Sequence, residues 1–166
     1  TALAMIVDVS GELRTSQTVP LLIEALSDEP TLSILLAALL TWVVHSSMAV
    51  VLMIATLTTP GAISGPAALY LLLGAHLGAA IPALVASMSE PMAGRRVPVG
   101  NLLFRGTGVL CLVWFVPWFY ANMSSADLDD KAIVILGHLA FNLSVAFVAL
   151  PFTGVVSRFL GRVLPS

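Results

Sequence analysis

Between residues 30 and 59 the chain runs for thirty positions without a charged side chain, yet Thr41, His45, Ser46 and Ser47 place a polar cluster in the middle of that run. At ~1.5 Å per residue a straight helix of this length would measure roughly 45 Å, against a hydrocarbon core of ~30 Å. A tilted helix and a hairpin of two half-helices broken near His45-Ser46-Ser47 both fit, and the pattern leaves the two open. Residues 66–89 form the next apolar run, with Gly74-x-x-x-Gly78 around His76 and Pro82 shortly after. Small residues at that spacing let another helix approach closely, while Gly and Pro together also open a helix so that freed backbone groups face a site. A broken span is therefore expected there. Residues 97–120 and 131–160 predict two further spans. The first carries Arg105 near its middle with Asn101 four positions earlier, and Trp114, Trp118 and Tyr120 toward its far end, as an interfacial aromatic belt would lie. The second carries His138 and Asn142 at the same spacing of four, and Pro151 predicts a kink.

The connecting segments carry the charge. Upstream, residues 12–27 have apolar positions at roughly helical spacing with Arg14, Gln17 and Glu24 opposite, which predicts an interfacial helix interrupted at Pro20. Asp28-Glu29-Pro30 reads as a helix start, and residues 58–61 as a turn. The adjacent Arg95 and Arg96 are the strongest topological signal. Two further passes return Arg158 and Arg162 to their side and leave the acidic loop of Asp127, Asp129 and Asp130 opposite.

Composition sharpens this into a class. With 58% hydrophobic and 10% charged residues and a mean hydropathy of +1.02, the chain predicts an all-α, polytopic membrane helical bundle with broken or re-entrant helices, one membrane domain over residues 1–166. A net charge of -2 without a basic run argues against nucleic acid as a partner. Cys111 stands alone, so no disulfide is available. The chain opens at Thr1 and is expected to be cut from something longer.

An unpaired hydroxyl or imidazole in hydrocarbon costs several kcal/mol, so intramembrane polar clusters face one another, a cavity or a solute. Thr41, Ser46 and Ser47 offer uncharged oxygens for a hard cation, or donors for an anion; bonding back to their own helix carbonyls is the plainer use. His45, His76 and His138 all fall inside predicted spans, where imidazoles bond between helices or open proton coupling. Arg105 is a mid-span cation that must be paired or wetted. Adjacent His45 and Ser46 cannot form a nucleophile–base pair on one helix, and Gly61-Ala62-Ile63-Ser64-Gly65 has no partnered base, so an intramembrane hydrolase is not expected.

Several of these residues together resemble the sodium/phosphate cotransporter family, whose membrane domain holds two inverted repeats, each with a Gln-Ser-Ser-Ser and a Gly-Ala-Asn-Ile-Gly-Thr-Thr signature. His45-Ser46-Ser47-Met48 stands where the first signature would be, and Gly74-Ala75-His76-Leu77-Gly78-Ala79-Ala80 where the second would be. The family's His-Leu-Leu-Phe-Asn element is matched twice, by Asn101-Leu102-Leu103-Phe104-Arg105 and by His138-Leu139-Ala140-Phe141-Asn142. The resemblance implies one half of an inverted-repeat transporter, the second repeat, completed by a missing first repeat or a second copy. It implies sodium-coupled symport of inorganic phosphate or a related anion in a bacterial inner membrane, with lipid as the surroundings. The implied binding residues are Thr41, His45, Ser46, Ser47, Gly74, His76, Gly78, Asn101, Arg105, His138 and Asn142, with Na+ as coupling ion near Ser46 and Ser47. The two interrupted helices are expected to converge, so that Ser46, Ser47 and the neighbourhood of His76 share one water-accessible pocket. Departures at His45, Met48, His76, Ala79, Ala80, Asn101 and Arg105 remove oxygen ligands and add a cation, which points to altered coupling. The alternative is a non-transporting member that serves as a membrane scaffold or binds a partner.

Overall fold

In the computed structural model, which describes residues 29–59 and 61–165, the uncharged run does not form one rod. The expected interfacial helix over residues 12–27 lies outside the described residues. Helix α1, Pro30–Val44, starts with Pro in its first turn and ends at His45, whose backbone turns left-handed at φ 56° and ψ 21°. Helix α2, Ser47–Thr58, begins one residue later, and the Ser46 hydroxyl accepts the Ala49 amide at 3.3 Å as its N-cap. A residue with positive φ cannot continue a right-handed helix, and a capping serine starts a new one.

The direction of α1 against its neighbour shows what the break does. Helix α3, Gly65–Gly78, is capped by the Ser64 hydroxyl. A side chain on Gly74 would collide with the Ile34 carbonyl, and one on Gly78 with the Ala38 carbonyl. Both contacts advance by four residues in the same sense, so α1 and α3 run parallel. The intervening α2 must then run back between them, which makes α1 and α2 a hairpin with its tip at His45-Ser46. With 15 and 12 residues, its arms measure about 22 and 18 Å at ~1.5 Å per residue, too short to cross a ~30 Å core singly.

After α3 the helix is interrupted at Ala79-Ala80, where the Ala80 amide bonds to the Leu77 carbonyl three residues back, and α4, Ile81–Ala86, restarts with Pro82 in its first turn. Two 3-10 turns, Ser87–Ser89 and Met92–Arg95, lead into α5, Arg96–Leu112. A further 3-10 turn, Val113–Phe115, joins α5 to α6, Val116–Ser125, so the helical rod outlasts the predicted span by five residues and stops short of Asp127. Helix α7, Asp130–Val163, starts from an Asp129 side chain that accepts the Ala132 amide at 2.7 Å and runs without interruption through Pro151.

Three segments, Gly65–Ser89, Met92–Ser125 and Asp130–Val163, are long and apolar enough to cross a membrane. The described residues hold helices and no strand, and the fold is an all-α membrane bundle. Its core joins Val50, Val51 and Ile54 of α2 to Leu69, Leu72 and Leu73 of α3 and to Ile133, Val134 and Phe141 of α7. Leu110, Trp114, Phe147 and Leu150 point outward, which costs nothing against acyl chains.

Two side-chain ties fix the relative directions of the long helices. The Arg96 Nε donates to the Leu164 carbonyl at 2.9 Å, joining the start of α5 to the end of α7. The Tyr120 hydroxyl donates to Asp130 Oδ1 at 3.0 Å, and both pack on Gly65, joining the end of α6 to the starts of α7 and α3. Hence α3 and α7 run parallel, with α5 and α6 antiparallel to both. Arg95, Arg96, Arg158 and Arg162 therefore gather at one end, beside Glu90, and Asp127, Asp129 and Asp130 at the other, beside Lys131.

Candidate functional site

Midway along the segment Gly65–Ser89, near the end of α3, an imidazole is trapped where three helices meet. His76 is 1% exposed, and its ring lies flat on α7, stacked at 3.9 Å on Phe141 and at 4.8 Å on His138. Positions 138 and 141 are three apart, so both rings project from one face of α7. From α5, Arg105 Nη1 reaches His76 Nδ1 at 3.2 Å and the His76 carbonyl at 3.4 Å, while its Nε donates to Asn101 Oδ1 at 3.2 Å. On α7, Asn142 Nδ2 donates to the His138 carbonyl at 2.9 Å and reaches His138 Nε2 at 3.4 Å. The two similar five-residue stretches thus each close an i to i+4 bond on antiparallel helices, with His76 between them.

These contacts fix the protons. A guanidinium only donates, so His76 Nδ1 is an acceptor, and His76 is neutral with its hydrogen on Nε2. That Nε2 is buried with no hydrogen-bond partner among the described residues, as are His138 Nδ1 and Thr41 Oγ1. The Asn142 contact likewise makes His138 Nε2 an acceptor and leaves its hydrogen on Nδ1. The cluster therefore presents buried donors beside a positive charge, and no carboxylate pairs with Arg105 among the described residues. It suits an anion and repels a cation.

The hairpin tip is a different environment. His45 is exposed and its Nδ1 lies 3.1 Å from the Val43 carbonyl; Ser46 is spent as a helix cap and Ser47 is half-buried in the first turn of α2. Carried along the α1–α3 register set by Gly74 and Gly78, an offset of 40 positions, the tip stands level with residues 85–86, past the interruption at Ala79-Ala80 and about 14 Å along the axis from His76 at ~1.5 Å per residue. Ser46 and Ser47 thus sit off the level of His76. Two apolar cavities of about 230 and 540 Å³ lie between α3, α5, α6 and α7, the first floored by Leu69, Leu73 and Phe119, the second by Phe104, Cys111 and Phe152; no predicted site residue lines either. Ser46 bonds within α2 and His76 to Arg105, and among the described residues no hydrogen bond joins Ser46 or Ser47 to the imidazole. Gly74 and Gly78 serve this pairing, and their backbones are covered by α1.

Phe141 is the site residue that sequence reasoning passes over. It is one of the matched positions of the second five-residue element, and its spacing from His138 is the available signal.

The chain matches, over residues 10–160, the family described as Na+/Pi-cotransporter. It belongs to the sodium/phosphate cotransporter family. This is a family of transporters and not of enzymes. A relative in Escherichia coli (strain K12), named "Putative inorganic phosphate export protein YjbB", is 34% identical over 163 residues, covering 98% of this chain and 30% of the relative. The "Uncharacterized protein YqeW" of Bacillus subtilis (strain 168) is 22% identical over 158 residues, covering 95% of this chain and 52% of that protein. The chain thus spans about 30% of the length of YjbB. No solved structure matches it.

Proposed function

We propose that this chain contributes one repeat to a secondary transporter of inorganic phosphate or a related anion, with Arg105 as the fixed positive charge of the anion site. The observation that carries this reading is the Arg105–His76 contact: a mid-span guanidinium is held between two spans by neutral acceptors, so its charge is left for a solute to meet. Family membership supplies the transport class, and the name of the Escherichia coli relative supplies phosphate and the outward direction. A missing first repeat or a second copy completes the carrier, since alternating access needs two repeats around a shared midplane site.

Sodium enters as a finer part of the proposal. The resemblance places Na+ near the oxygens of Ser46 and Ser47; here Arg105 takes over the charge that this mobile cation supplies in the family pattern, so transport does not require sodium. The test is labelled-phosphate flux through the complete protein in liposomes, with sodium replaced by choline. Flux that persists without sodium and collapses in Arg105→Ala supports the reading. Strict sodium dependence with indifference to Arg105→Ala overturns the role of Arg105, and no phosphate-dependent flux at all leaves a membrane scaffold.

A further inference from the structure

The lone pair that Arg105 occupies on His76 has a second natural ligand, the proton. Nδ1 carries one lone pair in the plane of the ring, and it cannot accept the Arg105 hydrogen bond and hold a hydrogen at once. Arg105 in turn does not deprotonate in proteins, so its donor must find another acceptor whenever His76 is protonated. The acceptors that Arg105 meets besides Nδ1 are already in use. Asn101 Oδ1 already takes the Nε hydrogen, and the His76 carbonyl serves the other hydrogen of Nη1. Apart from His76, Tyr70 is the one titratable residue on α1, α2, α3 and α4, and it lies six positions back, about 9 Å along α3 at ~1.5 Å per residue. From α7 the groups facing the ring are His138 and Phe141, and from α5 it is Arg105, to which Asn101 is bonded. The Tyr120 hydroxyl of α6 is committed to Asp130. An acceptor beyond these contacts is then needed, and a positive donor prefers an anionic oxygen.

We infer that His76 Nδ1 is a proton site that trades with the anion: Arg105 leaves the imidazole for a bound phosphate oxygen as the imidazole takes up one proton, so the carrier moves one proton with each phosphate dianion. This rests on the proposed phosphate transport. The exchange balances. A proton from water bonds to Nδ1, the Nε2 hydrogen stays, the Arg105 hydrogen bond passes from nitrogen to a phosphate oxygen, and nothing is oxidised or reduced. In the resting arrangement the cluster holds one positive charge. With His76 protonated it holds two, which match a dianion, so the loaded site is electrically neutral at mid-membrane depth, where a net charge is most costly. Stacking on Phe141 helps in both states, since the face of an aromatic ring attracts a cation and also packs against a neutral imidazole.

The complete protein, reconstituted in sodium-free liposomes, tests this in two arms. In the first, entry of labelled phosphate into vesicles preloaded with unlabelled phosphate, at equal pH on both sides, reports transport itself. In the second, with the membrane potential clamped at zero by equal potassium and valinomycin because a dianion and one proton together carry one negative charge, a pH gradient with the alkaline side inside drives net accumulation of the dianion, expected to approach about tenfold per pH unit for one coupled proton. His76→Asn and His76→Gln keep an oxygen that can accept from Arg105 but cannot take a proton. Their gradient-driven accumulation, taken relative to each variant's own exchange, should be lost. Exchange without any response to pH in the unaltered protein overturns the inference and spares the transport reading. A full response in the variants also overturns it, because the carrier would then be selecting the monoanion without His76. Absence of exchange in the unaltered protein sinks both.

A binding measurement in detergent covers the case in which the variants do not fold. Phosphate added in alkaline, weakly buffered solution, where it is the dianion, should draw one proton per bound anion from an indicator dye. No proton uptake overturns the inference.

Discussion

The hairpin tip and the His76 cluster stand where two signatures of one family would be, yet they accommodate polar atoms in opposite ways. At the tip, two polar groups bond locally: His45 with the Val43 carbonyl and Ser46 with the Ala49 amide. In the cluster two bonds close within α5 and α7, but Arg105 also reaches across 29 positions to His76 on another helix, and buried nitrogens are left over. Local satisfaction builds a turn. Long-range satisfaction with unused donors builds a place for something else. The altered signature at position 76 therefore carries more chemical meaning than the one at position 45.

The sharpest break in this comparison is steric. If the offset between tip and cluster depends on the parallel fit of α1 on α3, then Gly74→Val or Gly78→Leu should abolish it, because a side chain there meets backbone carbonyls that cannot rotate away. Overpacking of this kind costs about 1–3 kcal/mol and more where backbone must move, and either variant should lose more stability in thermal unfolding in detergent than any substitution in the cluster or at the tip. Next in size is Arg105→Ala. It leaves His76 Nδ1 buried and unpaired at a cost of about 1–3 kcal/mol, and it should also reduce phosphate flux by about tenfold or more, as loss of a charge-assisted contact would. Arg105→Lys should recover part of the flux, since it restores the charge but not the fork to Asn101 and His76.

Smaller effects sharpen the contrast at the tip. Ser46→Ala removes the cap of α2 and should cost about 1 kcal/mol, with Ser46→Asp recovering most of it as an efficient N-cap. If both variants lose phosphate flux in equal measure despite that difference in stability, Ser46 does more than cap, and the tip regains a ligand role. Tyr120→Phe, distant from both places, should cost only about 0.5–1.5 kcal/mol by breaking one hydrogen bond to Asp130. Both are read from denaturation midpoints.

Much of the architecture was legible from residue order. The apolar runs and the charge segregation follow from rules that act within a few residues of one another, the break near His45 was one of two readings left open, and the helices begin at the serines, aspartate and prolines that such rules favour. The parallel pairing of α1 with α3 was not legible, because Gly74 and Gly78 announce a close approach without naming the partner or its direction. For the same reason the separation of Ser46 from His76 was hidden: it depends on an offset between two helices, not on spacing within one. Arg105 was recognisable as a mid-span charge in need of company. That its company would be His76 depends on how α5 faces α3, and no pattern within either helix encodes it.

Pro151 sits inside α7 without ending it. Having no amide hydrogen, it leaves the Phe147 carbonyl without its usual partner one turn back. Above that point α7 is pressed against the imidazole stack; below it, the arginine-bearing end is pinned to Arg96 through Leu164. A rod clamped at two places and weakened between them flexes there first. Movement of the arginine end relative to α3 would then be absorbed at the proline, and the ring stack around His76 would be spared the bending.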